Sequence, residues 1–185
     1  MRSTILAQRY AKALFDLAIE MKQIEEVYRD MGLLQVTISE SMEFRQFLIS
    51  PVIKADKKVA VLNALFKGKV AELTQKFFEL LAQNRREENL KMIAREFIEL
   101  YKEFKNITTV NLKTAVPVSD SVKKDILDKL SKYTGGSIDL IEEVDENLIG
   151  GFLVNIEETQ YDASLLRVFN QLRKEFEVNL YIREI

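Results

Sequence analysis

Through the first hundred residues, apolar positions recur with the period of a helix. From Thr4 to Met21 they fall at Leu6, Tyr10, Leu14, Leu17 and Met21, a stripe set for burial. A second stripe on the same segment is small: Ala7, Ala11 and Ala18, with Ala13 beside it. Gln23 to Ile38 repeats Ile24, Val27, Met31, Leu34 and Ile38 in three-four alternation. Ser41 to Leu48 carries Phe44, Phe47 and Leu48, then stops near Pro51, because the residue before proline avoids the helical region. Asp56 is placed to cap a fourth helix bearing Val59, Leu62, Leu65 and Phe66, with Gly68 closing it. Val70 to Gln83 presents Val70, Leu73, Phe77, Leu80 and Leu81. A last segment, Glu87 to Phe104, presents Leu90, Ile93, Phe97, Leu100, Tyr101 and Phe104. Six amphipathic helices on short turns predict an antiparallel bundle.

After Phe104 the period falls to two. Ile107 to Val116 is β-branched and alternating, with Val110, Leu112, Thr114 and Val116 on one face. Pro117 breaks the strand, and Ser119 is placed to cap a helix carrying Val122, Ile126, Leu130 and Tyr133. Gly135-Gly136 turns the chain into a second strand, Ser137 to Val144, with Ile138 and Leu140 on one face. A turn at Asp145-Glu146-Asn147 leads to a third strand, Leu148 to Ile156, with Phe152, Val154 and Ile156 on one face. Asp162 then opens a helix with the stripe Leu165, Phe169, Leu172 and Phe176. Val178, Leu180 and Ile182 alternate as a short strand or extended tail. The predicted class is α+β: a six-helix bundle over residues 1–105, then a β-α-β-β-α domain over residues 106–185. The boundary is a change of period, not a flexible linker.

Composition narrows the functions open to such a chain. At 185 residues, with 47% hydrophobic and 30% charged, it can bury a substantial core and is not a disordered segment. It has no Cys, which excludes a disulfide framework, a thiolate nucleophile and a Cys zinc site. It has no His, so the commonest general base and metal ligand are also missing. No run approaches the apolar length needed to span a bilayer as a helix. Residues 1–105 carry 18 Lys+Arg against 15 Asp+Glu, and residues 106–185 carry 9 against 14. Neither half is basic enough to make nucleic acid the leading partner, although the change of sign hints at two units facing different partners. Met1 to Leu6 is slightly basic and amphipathic, but Asp16 and Glu20 follow in the same periodic segment and transit peptides are poor in acids. A cytoplasmic protein beginning with its first helix is expected.

Most clusters that suggest chemistry have a structural explanation. Gly135-Gly136 and Gly150-Gly151 fit neither the dinucleotide nor the Walker pattern. The first reads as a helix-to-strand turn, the second as a bulge or a close backbone approach within a strand. Glu142, Glu143, Asp145 and Glu146 lack calcium-loop spacing and read as a solvated strand edge. Arg85-Arg86 sits at a helix end, where free carbonyls favour cations. Glu157, Glu158 and Asp162 have no evident electrophilic partner for hydrolysis. No catalytic residue, metal site or cofactor is expected. The small stripe on the first helix is the more telling feature. It allows close helix packing, either within the bundle or against a partner's amphipathic helix.

Four segments, in order along the chain, resemble one family. Ala7-Gln-Arg-Tyr-Ala-Lys-Ala-Leu-Phe-Asp-Leu-Ala-Ile-Glu20 is similar to the opening of the delta subunit of rotary ATP synthases. Its mitochondrial counterpart is the oligomycin sensitivity-conferring protein. Leu80-Leu-Ala-Gln-Asn84 with Arg86 resembles the family's Ala-Glu-Asn-Gly-Arg segment, and Thr114-Ala-Val-Pro-Val-Ser119 its Thr-Ala-x-Pro-Leu-Ser. Asp145-Glu-Asn-Leu-Ile-Gly-Gly-Phe-Leu-Val-Asn-Ile156, followed by Asp162-Ala-Ser164, resembles its C-terminal signature. The departures are Arg85, Glu157 and Ala163 where glycines are common, and Leu166 and Val168 where arginines flank Arg167.

The resemblance implies a non-catalytic stator subunit, present once per complex, during proton-coupled ATP synthesis. Its six-helix domain would bind the N-terminal helices of alpha subunits in a groove between the first and fifth helices. Its C-terminal domain would hold the end of the peripheral stalk formed by b subunits. The implied location is the cytoplasmic face of a bacterial cell membrane, without insertion. The groove positions carried over are Ala7, Tyr10, Ala11, Leu14 and Ala18 with Phe77, Leu80, Leu81 and Asn84. For the stalk they are Phe152, Leu165, Phe169 and Leu172, for which an internal core is the favoured alternative. Ala11→Trp or Ala18→Trp is expected to fill the groove while the bundle stays folded. The competing classes are a helical adaptor for an unrelated amphipathic helix and a small carboxylate or Lys enzyme.

Overall fold

The computed structural model describes residues 2–119, 123–124, 126–128, 130–131, 135–145, 147–156 and 159–177. The chain forms two compact units, Met1–Phe104 and Lys105–Ile185. Among the described residues the fold is α+β, helical in the first unit and built on a four-stranded mixed sheet in the second.

The first unit contains α1 (Arg2–Glu20), α2 (Ile24–Glu40), α3 (Met42–Ile49), α4 (Ala55–Phe66), α5 (Glu72–Gln83) and α6 (Leu90–Phe104), with a 3-10 turn at Glu87–Asn89. Local chemistry sets the ends. The Ser41 hydroxyl accepts from Phe44 N–H at 3.1 Å and starts α3. Lys54, not Asp56, is the residue preceding α4, and Asp56 lies in the first turn, where its charge suits the helix dipole. The α5 N-terminus is capped from a distance. Asp30 of α2, itself buried, accepts from Ala71 N–H at 2.8 Å and from the Thr74 hydroxyl at 2.6 Å. Arg85 ends α5 in the left-handed region at φ +55°, and Arg86 N–H donates back to Leu81 C=O at 2.8 Å.

The core of this unit joins Leu14, Val27, Met31, Leu34, Ile38, Leu62, Phe78, Leu81, Leu90, Ile93 and Phe97. Phe78 takes the core position on α5, and Phe77 is half-buried beside it. α6 packs on both α1 and α2. Tyr28 and Tyr101 stack at 3.9 Å between ring centroids. Burial, then the hydrogen bond to Glu25, pushes the Tyr101 hydroxyl up to about 12, so it stays protonated.

The second unit holds β1 (Ile107–Thr114), β2 (Ser137–Val144), β3 (Gly151–Ile156) and β4 (Thr159–Ser164), in the spatial order β2-β1-β3-β4. β1 and β2 are parallel, which requires a crossover, and helical residues at 123–124, 126–128 and 130–131 lie within it. The other two pairings are antiparallel. Val110, Leu112, Val154 and Ile156 form the core, covered by Ile126, Leu130, Ile138 and Leu140. α7 (Leu165–Glu177) follows β4.

Three expectations are corrected. β1 ends at Thr114, leaving Val116 exposed, and β3 starts at Gly151 rather than Leu148. Asp162 does not open a helix: Thr159-Gln-Tyr-Asp-Ala-Ser164 is a fourth strand, so the order becomes β-α-β-β-β-α with respect to the described elements. Ser164 is the cap, its hydroxyl accepting from Arg167 N–H at 3.2 Å. The Asp162 carboxylate accepts from Ser164 N–H at 2.9 Å, and its hydrogen bonds to Ser164 hold it below the usual carboxylate range. The polar sequence hides the strand because β4 lies at the sheet edge with little buried area. Val122, Tyr133, Glu157, Glu158 and the segment 178–182 lie outside the described residues.

Gly150-Gly151 does mark a close backbone approach. Gly151 has φ +79°, and a Cβ there would stand 2.2 Å from Ala163 C=O on the paired strand.

Candidate functional site

The small stripe of α1 faces the core, joined there by Leu14 of the larger stripe. Ala7, Ala11, Leu14 and Ala18 are buried in the core of the first unit, and so is Leu81 on α5. They shape the helix packing and present nothing to a partner. Small side chains are what let a neighbouring helix axis come close, and α6 is the element packed most extensively on α1. Ala11→Trp or Ala18→Trp would therefore overpack the core instead of filling a groove. The larger stripe faces outward in part: Leu17 and Met21 are exposed, and Tyr10 is half-buried.

A hollow of about 580 Å³ lies along this outer face, lined by Ile5, Leu6, Tyr10 and Ala13 together with Arg9 and Arg86. Tyr10 reaches Phe77 of α5 edge-to-face, with centroids 6.4 Å apart. Leu80, one turn along α5, is 46% exposed, and Asn84 is exposed at the helix end. Tyr10, Phe77, Leu80 and Asn84 thus remain accessible from the groove set, and Leu6, Ala13 and Arg86 join them. The periodic pattern shows Leu6 but points it inward. Arg86 reaches the hollow only because the α5 C-terminal turn brings it there.

The second apolar surface is on α7. Leu165, Phe169 and Leu172 recur at helical spacing and are all exposed, Phe169 by 60%. Leu166 and Val168 are exposed beside them. Phe152 on β3 is 40% exposed. The internal-core alternative for these four residues is corrected: the small sheet core is filled from other elements, and α7 meets mainly β4. A row of exposed apolar side chains along one helix is the form that an interaction face takes.

Nothing comparable is assembled for catalysis among the described residues. Glu142 pairs with Lys123 at 2.9 Å and Glu143 with Lys113 at 2.8 Å, while Asp145 accepts from Asn147 N–H at 3.0 Å. These three carboxylates are thus tied up in surface pairing, and Glu146 lies outside the described residues. Lys58 and Glu87, buried together at a cleft bounded by the α3–α4 loop and Arg85, form a structural ion pair. No described helix is long and apolar enough to cross a membrane.

A family model for the ATP synthase delta (OSCP) subunit matches residues 6–176. The ATP synthase subunit delta of Christiangramia forsetii is 35% identical over 185 residues, 100% of each chain. That of Parabacteroides distasonis is 39% identical over 168 residues, covering 91% of this chain and 93% of its own. Among solved structures, a chain in the Toxoplasma gondii mitochondrial ATP synthase hexamer superposes with a TM-score of 0.74 at 25% identity, covering 95% of this chain and 99% of that one. Fold and sequence agree along nearly the whole length, and the chain belongs to the ATP synthase delta (OSCP) subunit family, as a non-catalytic stator subunit linking the catalytic head to the peripheral stalk.

Proposed function

We propose that the two units divide the stator task. The helical unit, as one antiparallel six-helix bundle, takes the N-terminal helix of an alpha subunit in the hollow between α1 and α5. The second unit takes the end of the stalk formed by b subunits on the apolar face of α7. One copy serves each complex, peripheral to the membrane on its cytoplasmic face. The observation that carries this division is that each unit leaves large apolar helical side chains uncovered, Leu17, Met21 and Leu80 in the first and Leu165, Phe169 and Leu172 in the second.

Adhesion in both places comes from apolar burial, at about 25 cal/mol per Å² before association costs. Arg9 and Arg86 at the rim of the hollow favour an incoming helix with acidic residues flanking its apolar stripe. A stator resists sustained torque, so slow dissociation matters more than rapid capture.

Leu80→Glu is expected to weaken binding of an alpha N-terminal peptide by about 10–100-fold, since a charge would face an apolar partner surface. Calorimetric titration reads the affinity, and an unchanged melting temperature shows the bundle intact. Phe169→Asp should leave that titration untouched and lower the affinity for a peptide from the stalk-end terminus of b by a similar factor. Affinity for the alpha peptide that survives both Leu80→Glu and Ala13→Glu, the latter in the lining itself, would exclude the hollow. Loss of both partners from one substitution would refute the division.

A further inference from the structure

We propose that the second unit is a shear-loaded force link, in which tension enters at the start of β1, leaves at the end of β4, and runs along the strands between. This deepens the stator assignment and rests on α7 being the stalk anchor.

The topology supplies the geometry. The chain enters the unit at Lys105 and reaches β1 at Ile107. The β1–β3 register pairs Val110 with Ile156 and Thr114 with Phe152, so the N-terminal end of β1 lies at the C-terminal end of β3. The β3–β4 register pairs Ile156 with Thr159 and Gly151 with Ser164. β4 therefore runs in the direction of β1, and Ser164 lies at the end of the sheet opposite the point of entry. α7 starts one residue later. Pulling the chain before Ile107 against α7 draws β1 and β4 in opposite directions along their axes, with β3 between them.

Antiparallel ladder bonds lie perpendicular to the strands. A force along the strands strains the whole ladder together, whereas a force across them opens one pair at a time. β1 cannot swing out of line, because β2 flanks its other side in a parallel ladder from Ile107–Ser137 to Thr114–Val144. The point of entry is fixed as well. Asn106 C=O accepts from Ser137 N–H at 3.2 Å, and a Cβ on Gly136 would stand 2.3 Å from that same oxygen. Strand order alone could have been otherwise. With α7 following an edge strand of opposite direction, the same tension would peel the sheet.

The test is force spectroscopy on the full chain, which has no Cys and so accepts unique handles. Glu103→Cys with Leu166→Cys loads the sheet in shear, and Glu103→Cys with Gln160→Cys loads it from one end. The expected result is a mean unfolding force roughly twofold or more higher for the first pair, because forced opening follows the barrier along the pulled direction. Chemical denaturation of both double variants should give equal midpoints, which removes a stability difference as the cause. Equal forces in the two geometries would overturn the proposal. Titration with the stalk-end peptide of b stands apart: lost binding with the force difference intact would refute only the anchor.

Discussion

Lys58→Ala is expected to lower the stability of the helical unit by roughly 3–5 kcal/mol, the cost of stranding one member of a buried ion pair. Lys58 is 2% exposed. Its ammonium donates to Leu48 C=O at 2.8 Å and to the Glu87 carboxylate. The second Glu87 oxygen has no hydrogen-bond partner among the described residues. Removing Lys58 would leave the Glu87 carboxylate and the Leu48 carbonyl without their donor at the floor of the cleft, where both side chains of the pair are at least nine-tenths buried. The damage would spread to function, because Glu87 opens the 3-10 turn that follows α5 and the Arg86 side of the hollow. Urea denaturation of the full chain reads the loss. Replacing both partners, Lys58→Met with Glu87→Leu, should recover most of it, since no charge is then buried. A cost below about 1 kcal/mol for Lys58→Ala would mean that the pair is solvated and not structural.

Gly151→Ala is the second large effect, at roughly 2–5 kcal/mol against the C-terminal unit, combining backbone strain with a steric clash. A left-handed alanine alone costs about 1–2 kcal/mol. The new Cβ would also press on Ala163 C=O at 2.2 Å and Ser164 Cα at 3.0 Å, both backbone atoms of β4 that cannot rotate aside. Relieving the clash means parting β3 from β4 at the end where Ser164 caps α7, so stalk affinity should fall with stability. Gly150→Ala is the internal comparison. Its Cβ would meet the Leu165 Cδ1 methyl at 2.8 Å, a movable side-chain end, and a much smaller loss is expected. Amide hydrogen exchange across β3 and β4 distinguishes the two, and equal protection in both variants would contradict the close-approach account.

Helix and strand positions are legible wherever burial is one-sided. α2 shows this best: Val27, Met31, Leu34 and Ile38 are all buried, as the three-four spacing predicts. The pattern fails where large apolar side chains are left outside the core. On α1 the larger residues read as inward because size usually tracks burial. On α7 the same rule makes a core out of Leu165, Phe169 and Leu172, which are exposed. β4 gives no local signal because an edge strand of Thr, Gln, Tyr, Asp, Ala and Ser has no apolar alternation to detect. The Asp30 cap on α5 and the Lys58–Glu87 pair join residues 41 and 29 positions apart, beyond the reach of any local signal.

By itself the sequence determined the α+β class, the change of period near Phe104, the Gly-Gly approach and the family, because each is written in local spacing or in an ordered set of short motifs. Only the tertiary structure decided which face of α1 is inside, which residues of α5 remain in reach of a partner, and that β1 and β4 point the same way. Those depend on how far apart two packed backbones can sit. The small side chains of Ala7, Ala11 and Ala18 permit a closeness that no count along one helix reveals.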